Sequence, residues 1–324
     1  MPEPIISDSS ISIAIIGGSG LYEAAGVEIE REFISKTPFG DSCPIIIGTL
    51  GGTRVAYIAR HAKGHVYTPT TCPYQANIYA LKSLGVRHVL AFSAVGSLQK
   101  EMKPRDLVVI EQFYDRTRHR KDTFFTEIAA HAPFSNPTSP EQNDLLSKSI
   151  ISLASQLIGD ASLFLPSSYS SDESLPANVF PRKEPSSYVC IEGPAFSTYT
   201  ESITYRKLGF DIVGMTALTE AKLCCECEIA YSCVALVTDY DCWYIEAHEA
   251  VTAAMVSQVQ AVNGKNAALI MKKWVSDMSE RISEQSTLDF SVHGIMAGAI
   301  MTDMKCVDPA ICAKLRPLLP KYIE

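Results

Sequence analysis

The sequence predicts an α/β protein with a mixed, largely parallel central β-sheet flanked by helices. Apolar, strand-like runs alternate with helical patterns in both halves of the chain, which is typical of such sheets. With 324 residues, 47% of them hydrophobic, the chain is long enough to build a full core. The predicted strands are 11–16, 44–50, 53–59, 86–92, 106–112, 187–192, 210–214 and 229–237, and the predicted helices are 73–84, 141–157, 199–208, 217–227 and 249–275.

The domain organisation follows from two stretches that depart from this alternation. Residues 159–187 are rich in Ser and Pro and lack sustained periodicity, so we expect a long surface insertion within one domain of residues 11–276. Residues 277–324 begin polar and end in a short apolar patch with three prolines. This segment is expected to form a C-terminal extension that packs loosely or against a partner.

Charge and hydropathy exclude two classes of partner. A net charge of -8 argues against nucleic acid, because binding to the phosphate backbone needs a broad basic face. No apolar run approaches the roughly 18 residues of a membrane span, and the first ten residues do not resemble a signal peptide. We therefore expect no nucleic-acid partner and no membrane association.

The ten cysteines include a C-C-x-C cluster at Cys224, Cys225 and Cys227. A structural zinc site usually draws its four ligands from two such pairs, and no second C-x-x-C pair follows. Reduced, mostly buried thiols without a metal are therefore expected. The expected compartment is the cytoplasm, with the nucleus as an alternative.

The first predicted strand ends in a glycine-rich turn, Gly17, Gly18, Ser19 and Gly20. Glycines adopt positive φ easily and leave backbone N–H groups free to bind an anion. Neither the G-x-G-x-x-G dinucleotide spacing nor the lysine of a Walker loop is present. The turn alone leaves open whether it binds an anion or only connects two elements.

Polar residues also follow other predicted strands, where ligands bind in an open parallel sheet. Arg60, His61 and His65 come after 53–59, and an arginine beside a histidine suits a bidentate grip on a small oxyanion. Gly64 favours a loop here over a zinc-binding helix, and a solvated arginine and two solvated histidines are the alternative.

Two further strand ends each present a hydroxyl group beside small residues. Ser93 and Ala94 end the strand 86–92, while Met215 and Thr216 follow 210–214. Because several such ends meet at one edge of the sheet, the sequence predicts a site for an oxyanion there.

Two carboxylates, Asp239 and Asp241, end an apolar strand beside Tyr240 and Trp243. An apolar environment raises the pKa of a carboxyl group, as general acid catalysis requires. Keeping an aspartic acid protonated at pH 7 means raising its pKa from about 3.9 by roughly three units. A helix N-cap with a solvated partner is the alternative interpretation.

Several short motifs occur in a fixed order along the chain: GGSGL (17–21), TPFG (37–40), ARH (59–61), YQANIYALKSLG (74–85), SAVGSL (93–98), IEGPAFST (191–198), GMT (214–216) and TDYDCW (238–243). Together they closely resemble the 5′-methylthioadenosine phosphorylases within the trimeric purine nucleoside phosphorylase family. The resemblance covers about residues 11–276 apart from the insertion. It implies a nucleoside phosphorylase-like fold, a homotrimer, and inorganic phosphate as a co-substrate without any cofactor or metal.

The resemblance also implies roles for individual residues. Met215 is expected against the ribose, Phe196 and Ser197 line the base pocket, and burial beside Phe196 is expected to raise the pKa of Asp239. His65 is also expected at the nucleoside. The implied phosphate ligands are Ser19, Arg60, His61, Ser93, Ala94 and Thr216.

The expected reaction is phosphorolysis of 5′-methylthioadenosine to adenine and 5-methylthioribose 1-phosphate. Asp239 would stabilise N7 of the leaving base and accept a hydrogen bond from the 6-amino group, whereas 6-oxopurine phosphorylases generally use asparagine there. An Asp239 that stays ionised until the transition state is the alternative mechanism. A broader-specificity or 6-oxopurine nucleoside phosphorylase is the alternative function, and a nucleosidase or a noncatalytic nucleoside-binding protein represents another class.

The 5′ end of the nucleoside would meet Ala253, Val256 and Ser257, which are smaller and more polar than the apolar residues of the family. Adenosine is therefore an additional expected substrate. His131 matches a family histidine that reaches into the 5′ pocket of a neighbouring subunit, and an exposed loop histidine is the alternative.

Overall fold

The computed structural model describes residues 10–18, 21, 26–169, 174–244, 253–285 and 288–323, without the side chains of 253–258 and 285. In this part of the chain, twelve strands form one sheet. The strands are β1 (Ile13–Gly17), β2 (Glu28–Thr37), β3 (Gly40–Leu50), β4 (Thr53–Ala59), β5 (His88–Ser97), β6 (Leu107–Val109), β7 (Gln112–Arg116), β8 (Leu163–Leu165), β9 (Val179–Pro181), β10 (Ser187–Ile191), β11 (Ile212–Gly214) and β12 (Ala230–Tyr240).

The sheet is mixed and largely parallel, as the sequence predicts. Its main path runs in the order β2-β3-β4-β1-β5-β12-β6-β8-β9, and β4, β1, β5 and β12 are parallel neighbours. The side chains of β1 and most of those of β12 are buried, since helices cover both faces of a parallel sheet. The carboxyl ends of these central strands therefore lie along one edge.

Helices pack on the two faces of the sheet. They are α1 (Tyr74–Leu84), α2 (Pro140–Ile151), α3 (Tyr199–Lys207), α4 (Ala217–Glu226), α5 (Ala253–Gln285) and α6 (Pro309–Leu315). Ser139 caps the N-terminus of α2, and Thr198 forms a capping box with Glu201 at α3. Helix α1 ends at Gly85, which has a φ of 102° that favours glycine.

Two strands differ from the prediction for identifiable reasons. Strand β2 was not predicted, because its exposed, charged sequence EIEREFISKT lacks the apolar run of an inner strand. It pairs only with β3 and forms the edge of the sheet. The predicted strand 106–112 is instead two separate strands, since β6 pairs with β12 while β7 pairs with β10.

The segment 159–187 contributes more to the sheet than the sequence indicates. It carries β8 and β9, and the residues of β8 are buried against β6. Strands of three residues are too short to produce a recognisable pattern in the sequence. The description of 159–187 as an insertion stays a prediction.

The C-terminal segment is also better packed than expected. Leu315, Leu318 and Ile323 are fully buried in the same core cluster as residues of β1 and β5. Glu228 accepts hydrogen bonds from the Met296 backbone N–H at 3.1 Å and from the Tyr322 hydroxyl at 2.9 Å. The segment is therefore not loosely packed, while a contact with a partner and its description as a C-terminal extension stay predictions.

The structure also bears on membrane spans and on the cysteines. No helix built from the described residues has the length and apolarity of a membrane span. All ten cysteines are unpaired and eight of them are buried, as expected. Burial raises the pKa of Cys225 to about 12, so this thiol of the C-C-x-C cluster is protonated at neutral pH.

Candidate active site

A cavity of about 540 Å³ opens at the edge where β4, β5, β11 and β12 end. Its wall contains residues expected at phosphate as well as residues expected at the base. Met215 also lines it, as does His65. The predicted residues in its wall are Arg60, His61, Ser93, Ala94, Thr216, Phe196, Ser197, Asp239 and Asp241.

Arg60 follows β4 and its side chain is 1% exposed. Its Nε and Nη2 donate to Glu220 Oε1 and Oε2 at 2.5 and 3.0 Å, and its Nη1 donates to the Phe92 carbonyl oxygen at 2.8 Å. Burial acts to lower the pKa of Arg60, but Glu220 outweighs it and raises the pKa above its ordinary value. Arg60 is therefore a fixed cation in the cavity wall.

Gly18 allows this placement of Arg60. A Cβ atom at Gly18 would lie 2.5 Å from the Phe92 carbonyl oxygen and 2.8 Å from Arg60 Nη1. The glycine-rich turn thus admits the close approach of the guanidinium group. Ser19, the predicted phosphate ligand of this turn, lies outside the described residues.

Ser93 and Thr216 are joined through a residue that the sequence analysis did not identify, Tyr188. Its hydroxyl lies 3.2 Å from Ser93 Oγ and accepts the Thr216 backbone N–H at 3.3 Å. Tyr188 is fully buried on β10, and a Cβ atom at Gly214 would lie 2.1 Å from its hydroxyl. Glycine at 214 is therefore required for the tyrosine to connect the two strand ends.

His61 is a neutral ring beside this cation. Its Nδ1 lies 2.8 Å from the Tyr67 carbonyl oxygen, so Nδ1 carries the proton and Nε2 is an acceptor. Burial, together with Arg60, lowers the pKa of His61 to about 3. The ring stacks on His65 with centroids 4.3 Å apart, and burial also lowers the pKa of His65.

Asp239 lies where β12 becomes irregular. The pairing of β12 with β5 shifts register between Val237 and Asp239, a bulge that re-aims the side chains near the strand end. Asp239 Oδ1 accepts a hydrogen bond from Thr238 Oγ1 at 2.6 Å. Burial raises the pKa of Asp239 to about 6, the charge of Asp241 acts in the same direction, and the Thr238 hydroxyl opposes both.

Phe196 lines the cavity, and 48% of it is exposed. Strand β5 lies close to the Asp239 carboxyl group, since a Cβ atom at Gly96 would lie 3.2 Å from Asp239 Oδ2. That Phe196 contributes to the burial of Asp239 stays a prediction.

Asp241 follows β12, and its backbone N–H donates to the Ser97 carbonyl oxygen at 2.9 Å. Burial raises the pKa of its carboxyl group, although the hydroxyl groups of Ser202 and Ser197 act to lower it. Both hydroxyl groups are buried, and of the three residues Asp241 and Ser197 line the cavity.

Besides Ser19, four predicted residues are not placed in the cavity. Ala253, Val256 and Ser257 belong to the first turns of α5, and their side chains are outside the described part. His131 is exposed and does not line the cavity, and its backbone N–H donates to the Ala299 carbonyl oxygen.

The sequence analysis missed Glu220 and Tyr188, and also Gln260, which lines the cavity from α5. A usable signal existed for Glu220, because a carboxylate within the apolar helix sequence ALTEAKLCC requires a buried partner. The sequence around Tyr188 carries no such signal, since an aromatic residue in a strand indicates only core packing.

This fold and cavity define an α/β protein with a ligand-sized cavity at the carboxyl ends of its central strands. A family model described as "Phosphorylase superfamily" matches residues 12–276, and the chain belongs to this superfamily. The S-methyl-5′-thioadenosine phosphorylase of Thermosynechococcus vestitus is 42% identical over 96% of this chain and 99% of its own. That of Hyperthermus butylicus is 43% identical over 85% and 90%.

Solved structures agree with this assignment. A methylthioadenosine phosphorylase from an antarctic soil metagenomic library superposes with a TM-score of 0.81 at 37% identity, over 97% of this chain and all of its own. The Schistosoma mansoni methylthioadenosine phosphorylase in complex with adenine gives 0.76 at 28% identity, over 90% and 99%. The resemblance and the fold class predicted from the sequence are confirmed.

Proposed function

We propose that the protein cleaves 5′-methylthioadenosine with inorganic phosphate to give adenine and 5-methylthioribose 1-phosphate. The observation that carries this proposal is the single cavity in which Arg60, Ser93 and Thr216 share the wall with Asp239 and Asp241. The names of the relatives given above support it. No cofactor enters the scheme, because phosphate is itself the nucleophile.

At the phosphate end, Arg60 and the hydroxyl groups of Ser93 and Thr216 bind the oxyanion by directed hydrogen bonds. The Thr216 hydroxyl makes no capping hydrogen bond with α4, unlike the capping hydroxyls of α2 and α3. It is therefore available to a ligand. A phosphate oxygen forms a bond to the anomeric carbon C1′ while the C1′–N9 bond breaks, and the electron pair of that bond moves into the purine.

At the base end, Asp239 donates a proton to N7 as negative charge develops on the leaving purine. A pKa of about 6 leaves part of Asp239 protonated near neutral pH, and exclusion of water by the bound purine raises it further. As a carboxylate it accepts a hydrogen bond from the 6-amino group of adenine. Asp241 and Ser197 line the same cavity.

The aspartate at 239 favours 6-aminopurines over the 6-oxopurine alternative. Ala253, Val256 and Ser257 at the start of α5, together with His65, are assigned to the sugar and its 5′ group, and adenosine is proposed as an additional substrate. Gln260 adds an amide to the described part of this wall.

We also propose a homotrimer in which His131 of one copy reaches the 5′ end of a neighbour's cavity. The exposed position of His131, away from the cavity of its own chain, supports this arrangement. Sedimentation equilibrium tests the oligomeric state. The cytoplasm, with the nucleus as an alternative, is the proposed location, which the unpaired cysteines support.

The deciding experiment follows adenine release from 5′-methylthioadenosine with and without added phosphate. We expect release only with phosphate, and at saturating phosphate a higher kcat/KM for 5′-methylthioadenosine and adenosine than for inosine. Release without phosphate would indicate a nucleosidase, and binding without turnover would indicate a noncatalytic protein.

A further inference from the structure

On the basis of the function proposed above, we propose that Glu220 is a positioning residue for phosphate, which orients Arg60 so that its free N–H groups face the oxyanion. Glu220 is 2% exposed and lies in the first turn of α4, four residues after Thr216. One turn of helix thus carries both an expected phosphate ligand and the carboxylate that grips Arg60.

The hydrogen bonds of Arg60 show how the orientation works. An arginine side chain has five N–H donors. Glu220 takes one from Nε and one from Nη2, and the Phe92 carbonyl oxygen takes one from Nη1. One N–H on each terminal nitrogen is left, which is the pair that binds an oxyanion in bidentate fashion.

Glu220 is itself fixed by a hydrogen bond from a residue outside the cavity. The Tyr231 hydroxyl donates to Glu220 Oε2 at 2.8 Å, and Tyr231 is 2% exposed on β12. Tyr231 does not line the active-site cavity. A chain of hydrogen bonds therefore runs from Tyr231 through Glu220 to Arg60, and Tyr231 does not contact a substrate in the cavity.

The charges explain why orientation matters here. The positive charge of Arg60 is balanced by Glu220, and His61 is neutral because its pKa is lowered to about 3. Among the described residues, this end of the cavity thus carries no net charge from Arg60, Glu220 and His61. Phosphate is held by directed donors rather than by net attraction, and directed donors depend on position. A buried ion pair is also a weak source of stability compared with apolar packing.

Three variants test this role. Glu220→Asp keeps the charge but shortens the reach, Glu220→Gln keeps the shape but loses the charge, and Tyr231→Phe removes only the supporting hydrogen bond. We expect the KM for phosphate to rise about tenfold or more in both Glu220 variants and roughly two- to fivefold in Tyr231→Phe. The KM for 5′-methylthioadenosine should stay within about twofold.

Tyr322→Phe is the matched control, because its hydroxyl also donates to a buried glutamate, Glu228, but away from the cavity. It should leave both KM values unchanged. An effect on folding alone would lower the thermal midpoint without changing the ratio of the two KM values.

Two results would overturn the role of Glu220. One is an unchanged KM for phosphate in Tyr231→Phe and Glu220→Asp, and the other is tighter phosphate binding by Glu220→Gln, as expected of a simple counter-charge. If the Glu220 variants do not fold, Tyr231→Phe decides. Failure of the proposed function is distinct, because the wild type would then release adenine without phosphate, and equilibrium dialysis of inorganic phosphate would still test the three variants.

Discussion

The hydroxyl of Tyr188 lies 3.2 Å from Ser93 Oγ, in a fully buried position. The same hydroxyl accepts the Thr216 backbone N–H, so one side chain fixes the distance between two expected phosphate ligands. These contacts join β5, β10 and the start of α4 at one point of the cavity wall.

Tyr188→Phe is expected to raise the KM for phosphate about threefold to tenfold and to lower the free energy of unfolding by about 1 kcal/mol, because Ser93 and Thr216 lose a buried partner. Steady-state kinetics with phosphate as the varied substrate and urea unfolding measure the two effects. Tyr322→Phe again serves as the control. An unchanged KM for phosphate would show that Ser93 is positioned without Tyr188.

Asp239→Asn tests the assignment of the base end. We expect kcat/KM for 5′-methylthioadenosine to fall about 100-fold or more, which is the usual contribution of a general acid. Cleavage of inosine should be relatively spared, because an asparagine amide can donate to a 6-oxo group. Comparable losses for both substrates would contradict the role of Asp239 in recognising the 6-amino group.

Thr238→Val tests the electrostatics of Asp239. The Thr238 hydroxyl donates to Asp239 Oδ1 and lowers the pKa of Asp239, so its removal should raise that pKa above about 6. Because the protonated acid is the active form, the decline of kcat/KM at rising pH should then begin at higher pH, by roughly half to one unit. The pH profiles of the two proteins provide the measurement, and a shift to lower pH would contradict the mechanism.

His88 tests a pH dependence that has no connection with catalysis. It is 1% exposed on β5, its Nδ1 lies 3.2 Å from Gln142 Oε1, and its ring packs edge-on against His293. Burial lowers the pKa of His88 to about 3, and the neighbouring His293 acts in the same direction. The His88 ring is therefore neutral in the folded protein at neutral pH. Its contribution to stability is present above the ordinary histidine pKa of about 6.5 and is lost as the pH falls from there towards 3.

We therefore expect His88→Gln to be less sensitive to acid than the wild type. The difference in free energy of unfolding between the two proteins should change by about 2 kcal/mol between pH 7 and pH 5, with the wild type losing more. Urea unfolding at both pH values measures it. The difference isolates His88 from Asp239 and Glu226, whose pKa values burial raises to about 6 and 7 and which act in the opposite direction. A constant difference would mean that His88 is protonated in the folded state.

Much of the site could be predicted because Arg60, Thr216 and Asp239 follow or end apolar strands, and parallel strands bring their carboxyl ends together. Ser93 was also expected at a strand end, but β5 continues past it to Ser97. Glu220 could not be placed in the same way. It is 160 residues from Arg60 in the sequence, and only the packing of α4 against the sheet reveals the pair.

The strands that could be predicted from the sequence are those in which burial leaves a clear run of apolar residues. The central strand β1 has five buried residues in a row, whereas the edge strand β2 is mostly exposed and charged. The C-terminal segment was misjudged for a related reason. Pro317 and Pro320 interrupt its buried residues Leu315, Leu318, Leu319 and Ile323, and no regular spacing indicates their contact with the core.

Helix α4 begins directly after Thr216 at the cavity and ends two residues before Glu228, which binds Met296 and Tyr322. Ten helical residues span about 15 Å and cannot be compressed. The last segment of the chain and the phosphate-binding residues are therefore anchored to opposite ends of one rigid element. Substitutions within 288–323 that displace α4 as a whole, unlike the loss of the single Tyr322 hydroxyl group, should therefore change turnover, although none of the described residues in that range lines the cavity.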